Sequence, residues 1–280
     1  MIGRRALVRK RIVKNSWKYS AAVVAGLIAV SGGAVAASAQ AQPAAVSHGA
    51  KPTIVLVYGA FEDGSAWNGV TARLQRAGYR VIVPAVPLRG VQSDVAYLNS
   101  LLKTVDGPLV LAGHSYGGML ITQIAAENPA VKALVYTAAF IPVAGESAGQ
   151  LDNQFPGTLI GPDTLQTVSY PGGTDLYVKP DAFHEAFAGD RSAADAAVAA
   201  ATQRPADGAV FSDTVTAGAP TDIPKYAIVA SQDRAIPPVA EQWEAKRAGA
   251  TIVTLRSAHD VPTSHPVEVA DLITRAARGH

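Results

Sequence analysis

Short apolar segments alternate along the chain with longer segments in which apolar and polar residues recur at helical spacing. Six of the apolar segments are typical of buried strands, and they cover residues 53–58, 79–83, 108–112, 131–137, 226–230 and 251–255. Helices are predicted between them over residues 67–77, 93–104, 238–248 and 266–277, with a further helix directly after residue 115. The alternation predicts an α/β fold: a mostly parallel sheet of about six strands with helices on both faces.

The regular alternation stops between residues 141 and 222. This stretch is rich in Gly, Pro, Asp and Thr, and its only clear elements are an Ala-rich helical segment at 192–202 and a short candidate strand at 176–178. The carboxyl ends of parallel strands lie along one edge of a sheet, where function usually collects. We therefore expect residues 141–222 to form a lid, inserted after the fourth strand, over that edge.

Charge is distributed unevenly along the chain. Seven of the 24 Lys and Arg residues lie within the first 18 positions, whereas the first acidic residue is Glu62. Two of the seven, Arg4 and Arg5, would suit a twin-arginine export signal, which is an alternative to the general secretory route. The remainder of the chain is mildly acidic, so nothing in it indicates a nucleic-acid partner. The absence of cysteine excludes thiolate metal sites and cysteine nucleophiles.

The basic N-terminus continues into an apolar segment at residues 21–30 and then into small residues. This order is typical of a signal peptide, with cleavage sites near Ala39 or Ala41. We predict a signal peptide over residues 1–41, a flexible lead-in over 42–51, and export to the periplasm or the cell exterior, with no stable membrane span after processing. The alternative is a membrane anchor that is never cleaved. Residues 52–280 are long enough to form one domain with a sizeable core.

The strand predicted at 108–112 runs without an ordinary loop into Gly-His-Ser-Tyr-Gly at 113–117, and an apolar helical pattern follows at once. So abrupt a change from strand to helix holds Ser115 in a strained backbone conformation. Gly113 and Gly117 remove the side chains that would clash there. The Ser115 hydroxyl would then stand clear of the sheet at a helix N-terminus, as a nucleophile requires. The alternative is an ordinary glycine-rich turn, and the flanking strand and helix favour the nucleophile.

A serine hydroxyl needs a base to accept its proton and an acid to orient that base. Asp233 follows the strand predicted at 226–230, and His259 follows the strand at 251–255. Both would emerge at the same sheet edge as Ser115, in the chain order expected for a hydrolase with this type of turn. Ser115, Asp233 and His259 are therefore the predicted catalytic residues.

Other residues compete for these roles with weaker support. Glu146 follows the fourth strand and is the rival acid, whereas Asp222 precedes its strand and so lies at the wrong edge. His265 is the rival base, but its position directly before a proline and the final helix is typical of a helix start. His48 lies in the lead-in and His280 at the terminus.

The reaction also needs donors for the negative oxygen of the tetrahedral intermediate. The backbone amide of Tyr116 follows the nucleophile, and the amide of Ala60 lies at the exit of the first strand, so these two form the predicted oxyanion hole. Phe61 would line the site, with core packing as its alternative role. The candidate side chains near the substrate are Phe61, His114, Tyr177 and His184, with a core or surface role as the favoured alternative for Tyr177 and His184.

From residue 53 to its C-terminus the chain resembles the α/β-hydrolases. The matching motifs are Gly59-Ala60-Phe61, the 113–117 segment, Asp233, and Ser-Ala-His-Asp-Val-Pro at 257–262. Within that superfamily the chain is similar to the compact esterases related to plant methyl-ester esterases and hydroxynitrile lyases. The resemblance implies hydrolysis of carboxylic esters without a cofactor or metal.

Three positions depart from that family pattern. Tyr58 stands where the family usually has a histidine that supports the oxyanion loop. Hydroxynitrile lyases typically carry threonine at the position of Gly59, and lysine at the position of Asp260. The last two departures favour ester hydrolysis over cyanohydrin cleavage.

The sequence therefore predicts an exported serine esterase that acts on a small-molecule ester through an acyl-enzyme. The alternatives are a hydroxynitrile-lyase-like or a cofactor-free haloperoxidase-like activity on the same residues, or a binding protein on a hydrolase scaffold. Neither the substrate nor the oligomeric state follows from the sequence.

Overall fold

The computed structural model describes residues 51–279. The predicted signal peptide with its cleavage sites, the Arg4-Arg5 pair, most of the lead-in, His48 and His280 lie outside the described residues. The nine strands are β1 (Thr53–Val57), β2 (Val81–Ile82), β3 (Leu109–Ser115), β4 (Val131–Ala139), β5 (Leu165–Tyr170), β6 (Gly173–Val178), β7 (Ala206–Asp207), β8 (Lys225–Ala230) and β9 (Thr251–Leu255) among those residues.

The helices in the same range differ widely in length. They are α1 (Asn68–Arg76), α2 (Val91–Leu102), α3 (Gly117–Glu127), α4 (Ala148–Asp152), α5 (Pro180–Ala186), α6 (Ala193–Thr202), α7 (Ala209–Ser212), α8 (Pro238–Arg247), α9 (Val261–Ser264) and α10 (Pro266–Arg278). A short 3-10 helix over Gly64–Trp67 precedes α1. Within this part of the chain, none of the helices is both long and apolar enough to cross a membrane.

The central sheet has six strands in the order β2-β1-β3-β4-β8-β9, and each neighbouring pair is parallel. Strands β1, β3 and β8 are buried along their whole length, because helices cover both faces of the sheet. Helix α3 packs on β1, β3, β4 and α2, while α10 packs on β3, β4, β8 and α1. The predicted six-stranded α/β fold is confirmed.

Two predicted elements differ in their bounds. Strand β2 covers only Val81–Ile82 rather than 79–83, since it lies at the sheet edge and Pro84 cannot donate to a ladder. Helix α2 begins at Val91, before the predicted cap at Ser93. Gly90, at a φ of 114°, is the residue that precedes the helix, and the Ser93 hydroxyl donates to its carbonyl from inside the first turn.

The insertion between β4 and β8 contains more structure than the sequence predicted. It includes α4 to α7 and a three-stranded antiparallel sheet in the order β5-β6-β7. The candidate strand at 176–178 is the end of β6, and the helix at 192–202 is α6 with Ser192 as its cap. Strand β5 escaped prediction because its side chains are mostly exposed and lack an apolar alternation. The dipeptide Pro171-Gly172, which forms the hairpin turn with Gly172 at a φ of 104°, was the available signal.

Candidate active site

The turn at Ser115 has the geometry that the sequence pattern indicated. Strand β3 ends at Ser115 and α3 begins at Gly117, so a single residue separates the two elements. Ser115 has a φ of 54°, which is uncommon for a residue with a side chain and shows a strained turn. The strand register against β4 also shifts at this point: His114 pairs with Thr137 and Ser115 with Ala139, so Ala138 is the extra residue of a bulge beside the serine.

The surrounding glycines are required by close backbone approach. A Cβ atom on Gly113 would lie 2.7 Å from the carbonyl carbon of Gly117, and one on Gly117 would lie 2.4 Å from the carbonyl oxygen of Val57. A Cβ on Gly118 would approach the carbonyl oxygen of Phe140 to 2.1 Å. These distances exclude any side chain, so helix α3 can start directly against the ends of β1 and β4.

Asp233 and His259 meet at the same edge of the sheet. Asp233 follows β8 and His259 follows β9, and His259 Nδ1 donates to Asp233 Oδ2 at 2.6 Å. The other carboxylate oxygen, Oδ1, accepts the amides of Ala235 at 2.7 Å and Ile236 at 2.8 Å. Because three donors hold the buried carboxylate, it orients the imidazole and fixes its proton on Nδ1.

Ser115 and His259 line one cavity. Neither the Ser115 hydroxyl nor His259 Nε2 is hydrogen-bonded to any other residue of 51–279, so both can meet a substrate. The Phe187 ring packs edge-on against the His259 ring, with centroids 4.8 Å apart, and limits its rotation. Most of the remaining lining is apolar, from Phe61, Phe140, Ala148, Ile160, Phe187, Val210, Phe211, Ala235 and Ile236.

Ala60 and Tyr116 line the same cavity from two sides of Ser115. Their backbone amides donate to no other group in the described part of the chain. The loop that carries Ala60 lies directly on the nucleophile, because a Cβ on Gly59 would be 2.6 Å from the Ser115 Cβ and 3.2 Å from its Oγ. Two unpaired N–H groups beside a serine hydroxyl form a site that can accept a negative oxygen.

His114 does not line the cavity, contrary to its predicted contact with substrate. Its ring is fully buried, and both nitrogens are engaged: Nδ1 donates to Glu62 Oε2 at 2.7 Å, and Nε2 donates to the His259 carbonyl at 2.8 Å. Glu62 Oε2 also accepts the Gly59 amide at 3.0 Å. The Glu62–His114 pair therefore joins three segments: the oxyanion loop, which carries Gly59 and Ala60, the turn at Ser115, and the loop that carries His259.

Both nitrogens of the His114 ring donate to acceptors, which requires the charged imidazolium. Burial by itself lowers the pKa of His114, but the charge and hydrogen bond of Glu62 outweigh burial and raise that pKa to about 9. Burial raises the pKa of Glu62, and the facing His114 charge reverses this and holds it below its ordinary value. At neutral pH the two side chains form a buried ion pair.

Two further residues predicted to line the site lie elsewhere. Tyr177 is paired with Gln166 within the small antiparallel sheet, and His184 Nε2 donates to the Arg191 carbonyl at 3.0 Å. Neither reaches the cavity, whereas Phe61 does. The insertion contributes other residues instead, namely Asp152, Ile160, Phe187, Val210 and Phe211. The sequence offered no signal for them beyond their apolar character, because the folded shape of the insertion decides which of its residues face Ser115.

The rival acid and base have other partners. Glu146 binds Arg247 through two hydrogen bonds of 2.6 and 2.7 Å. His265 precedes α10, as its position before Pro266 predicted. Tyr58 stands where the family usually has histidine. Its hydroxyl oxygen accepts the Val86 amide at 2.7 Å and has no hydrogen bond to the oxyanion loop in the described residues. Glu62 and His114 support that loop instead.

Comparison with known proteins agrees with this geometry. A family model described as "Alpha/beta hydrolase family" matches residues 48–272, and the chain belongs to that family. The predicted resemblance is thereby confirmed at the level of the fold and family. Solved structures of plant esterases share the fold: a methylesterase from Arabidopsis has a TM-score of 0.68 at 18% identity, over 81% of this chain and 99% of its own.

Relatives with sequence similarity include hydrolases from bacteria and from fungi. A carbendazim hydrolyzing esterase from Nocardioides is 37% identical over 106 residues, which is 33% of this chain and 44% of that esterase, so the match spans less than half of its length. A pyrethroid hydrolase from Sphingobium faniae has a structure with a TM-score of 0.68 at 22% identity, covering 81% of this chain and 98% of its own.

Proposed function

We propose that this protein is a serine hydrolase that cleaves carboxylic esters through Ser115, His259 and Asp233. The observation that carries the proposal is the 2.6 Å hydrogen bond between His259 Nδ1 and Asp233, with His259 and Ser115 lining one cavity. The names of the relatives, an esterase and hydrolases, agree with this class of enzyme.

In the proposed reaction Ser115 Oγ attacks the ester carbonyl carbon while His259 Nε2 takes the hydroxyl proton. The amides of Ala60 and Tyr116 donate to the oxygen that becomes negative. His259 returns the proton to the leaving alcohol as the C–O bond breaks, which leaves an acyl-Ser115 ester. A water molecule, deprotonated by the same nitrogen, then attacks this ester. As the bond between the acyl carbon and Ser115 Oγ breaks, the carboxylic acid leaves and His259 returns the proton to Oγ.

The lining of the cavity supports apolar ester substrates. Four phenylalanine rings, Phe61, Phe140, Phe187 and Phe211, face it, so an aromatic or branched acyl or alcohol group would replace water there. The relatives include a protein named as a carbendazim hydrolyzing esterase and others named as pyrethroid hydrolases, and we propose small apolar esters as the substrate class of this protein.

Lyase activity is less well supported by this geometry. Gly59 lies too close to Ser115 for the threonine that hydroxynitrile lyases carry there, since even a Cβ would be 2.6 Å from the Ser115 Cβ. Asp260, at the position of their lysine, is paired with Arg191 at 2.6 Å. We therefore expect neither cyanohydrin cleavage nor peracid formation when these reactions are assayed beside ester hydrolysis.

The N-terminal pattern adds export to the proposal. We infer that the leader is removed near Ala39 or Ala41 and that the mature enzyme acts outside the cytoplasm. N-terminal sequencing of enzyme recovered from the producing cells tests this. Enzyme that is retained in the cytoplasm with residue 1 intact would contradict it.

The decisive test combines a fluorophosphonate label with a panel of 4-nitrophenyl esters. Ser115→Ala should abolish both labelling and turnover while the protein stays folded, because Ser115 is the only serine or threonine among residues 51–279 that lines the cavity with His259. Ser100→Ala is the matched control, since Ser100 is exposed on the outer face of helix α2 and its hydroxyl donates to the Ala96 carbonyl. Unchanged turnover in Ser115→Ala would refute the proposed function.

A further inference from the structure

One acidic side chain interrupts the apolar wall of the cavity. Asp152 is the last residue of α4, lines the cavity that contains Ser115, and is 7% exposed. Its Oδ1 atom is inaccessible to water and has no hydrogen-bond partner among residues 51–279. A buried carboxyl oxygen without a partner is costly in a folded protein, so its position here requires an explanation.

The neighbours of Asp152 satisfy it only in part. The Thr158 hydroxyl lies within hydrogen-bond reach of the carboxyl and lowers its pKa, but its one proton is directed at the Ala235 carbonyl at 2.8 Å, and Oδ1 of Asp152 is left without a partner in the described residues. No basic side chain in the described range forms an ion pair with Asp152. The charged groups that act on it are themselves acidic: Asp233 from the loop after β8, and Glu244 from α8.

Asp152 also has no position in the proton relay, because Asp233 already occupies Nδ1 of His259. A metal ion would need several ligands, and the described part of the chain holds no group of three acidic or histidine side chains arranged for one. The remaining partner is a group on the molecule that enters the cavity. That group must donate a hydrogen bond, since a carboxylate only accepts.

We propose that Asp152 binds a nitrogen donor on the substrate, so that the preferred substrates are apolar esters that carry one ammonium or N–H group. This inference rests on the proposed function, because it describes the substrate of the same site. The apolar walls hold the body of the ester, and Asp152 holds the nitrogen. A carboxylate and an ammonium ion attract each other strongly where water is excluded, so the nitrogen would select one orientation of the ester.

The protonation of Asp152 adds a prediction about pH. Burial is the main cause and the negative charge of Asp233 adds to it, and together they raise the pKa of Asp152 to about 7 despite the opposing effect of Thr158. Above this pH the carboxylate attracts the nitrogen group, and below it the neutral acid does so weakly. The preference for nitrogen-bearing esters should therefore decline as the pH falls from 8 to 6.

The test compares two esters of equal size, 4-nitrophenyl 4-(aminomethyl)benzoate and 4-nitrophenyl 4-ethylbenzoate. At pH 8 the wild-type enzyme should favour the amine ester in kcat/KM by about tenfold or more, as expected for one charge-assisted contact. In Asp152→Asn this ratio should fall at least tenfold. Asp163→Asn, which removes the same charge from an exposed position in the insertion, should leave the ratio unchanged.

Binding of benzylamine to the Ser115→Ala protein, measured by calorimetry, separates the two proposals. If both esters are hydrolysed at equal rates, or if Asp152→Asn keeps the preference for the amine, the inference about Asp152 is wrong and the proposed hydrolase function stands. If no ester is hydrolysed but benzylamine binds in a manner that requires Asp152, the function is wrong and the nitrogen site stands. Absence of both hydrolysis and binding refutes both.

Discussion

Two histidine–carboxylate pairs lie side by side at the carboxyl edge of the sheet. His259 is bonded to Asp233 at 2.6 Å and His114 to Glu62 at 2.7 Å, and the two rings are 4.6 Å apart between centroids. Both histidines are buried, and both use Nδ1 for the carboxylate. From the pair alone, either histidine would qualify as a general base.

The second ring nitrogen distinguishes the two pairs. His259 Nε2 has no partner in the described residues and its side chain lines the cavity, whereas His114 Nε2 donates to the His259 backbone carbonyl. His114 therefore keeps its charge and cannot accept a proton from substrate or serine. The comparison shows that a histidine beside a carboxylate is a base only where its other nitrogen faces the reactant.

The largest expected effect comes from the His259–Asp233 pair, whose histidine lines the cavity. His259→Ala should lower kcat for a 4-nitrophenyl ester by about 10⁶-fold, and Asp233→Asn by about 10⁴-fold, by analogy with serine hydrolases in general. Glu146→Gln is the matched control. Glu146 is the rival acid but is bonded to Arg247, at the end of α8, and so its loss should change kcat less than threefold. A loss in Glu146→Gln equal to that in Asp233→Asn would transfer the acid role to Glu146.

The second pair should affect stability more than chemistry. His114→Asn leaves the Glu62 carboxylate buried without its counter-charge, and should lower the free energy of unfolding by about 3–5 kcal/mol. The double variant Glu62→Gln/His114→Asn removes both charges and should lose less than the sum of the two single losses. Urea unfolding of the four proteins measures this cycle, and strictly additive losses would show that the pair is not coupled.

A smaller effect is expected from pH. The raised pKa of His114, about 9, means that its stabilising charge is fully present below its ordinary value near 6.5 and is lost as the pH rises through 9. Glu244 acts in the same direction: burial raises its pKa to about 8, so the unfolded chain loses this proton at a lower pH than the folded protein, and stability falls as the pH rises from its ordinary value of 4.5 to about 8. The free energy of unfolding should therefore decline between about pH 6 and pH 9, by at most about 1.4 kcal/mol per pH unit for each group.

His114→Asn provides the control for this titration. It should remove the part of the decline that falls between about pH 6.5 and pH 9, and leave the part due to Glu244, which ends near pH 8. Thermal or urea unfolding followed across the pH range gives the curves directly. A free energy of unfolding that rises between pH 8 and pH 10 in the wild-type protein would contradict the assignment of a charged His114.

The sequence predicted the fold well because buried parallel strands have a strong local signature. Strands β1, β3 and β8 are buried on both faces, and so nearly all of their residues are apolar, which makes them recognisable in the sequence. The turn at Ser115 was equally accessible, since Gly113 and Gly117 are residues that a close backbone approach demands. Strand β5, with mostly exposed side chains, offered no such signal.

The lining of the cavity was much less accessible from sequence. His114 is adjacent to Ser115 in the chain, and adjacency alone predicted contact with substrate. Neighbouring residues of a strand face opposite ways, however, and the His114 ring is buried in the protein. Tyr177 and His184 carry suitable chemistry within the insertion but do not reach the cavity, and no local pattern distinguishes Asp152 from the other acidic residues of the same segment.

What the sequence determined by itself is what depends on neighbours in the chain: the strands, the strained serine turn between its glycines, and the order in which acid and base follow their strands. Only the tertiary structure decided which histidine nitrogen faces the cavity, that Glu62 supports the oxyanion loop, and that Asp152 enters an apolar wall. The His114 ring, for example, joins Glu62, which is 52 positions away, to the His259 carbonyl, which is 145 positions away. Their distances depend on the packing of the whole domain, which no local pattern of residues records.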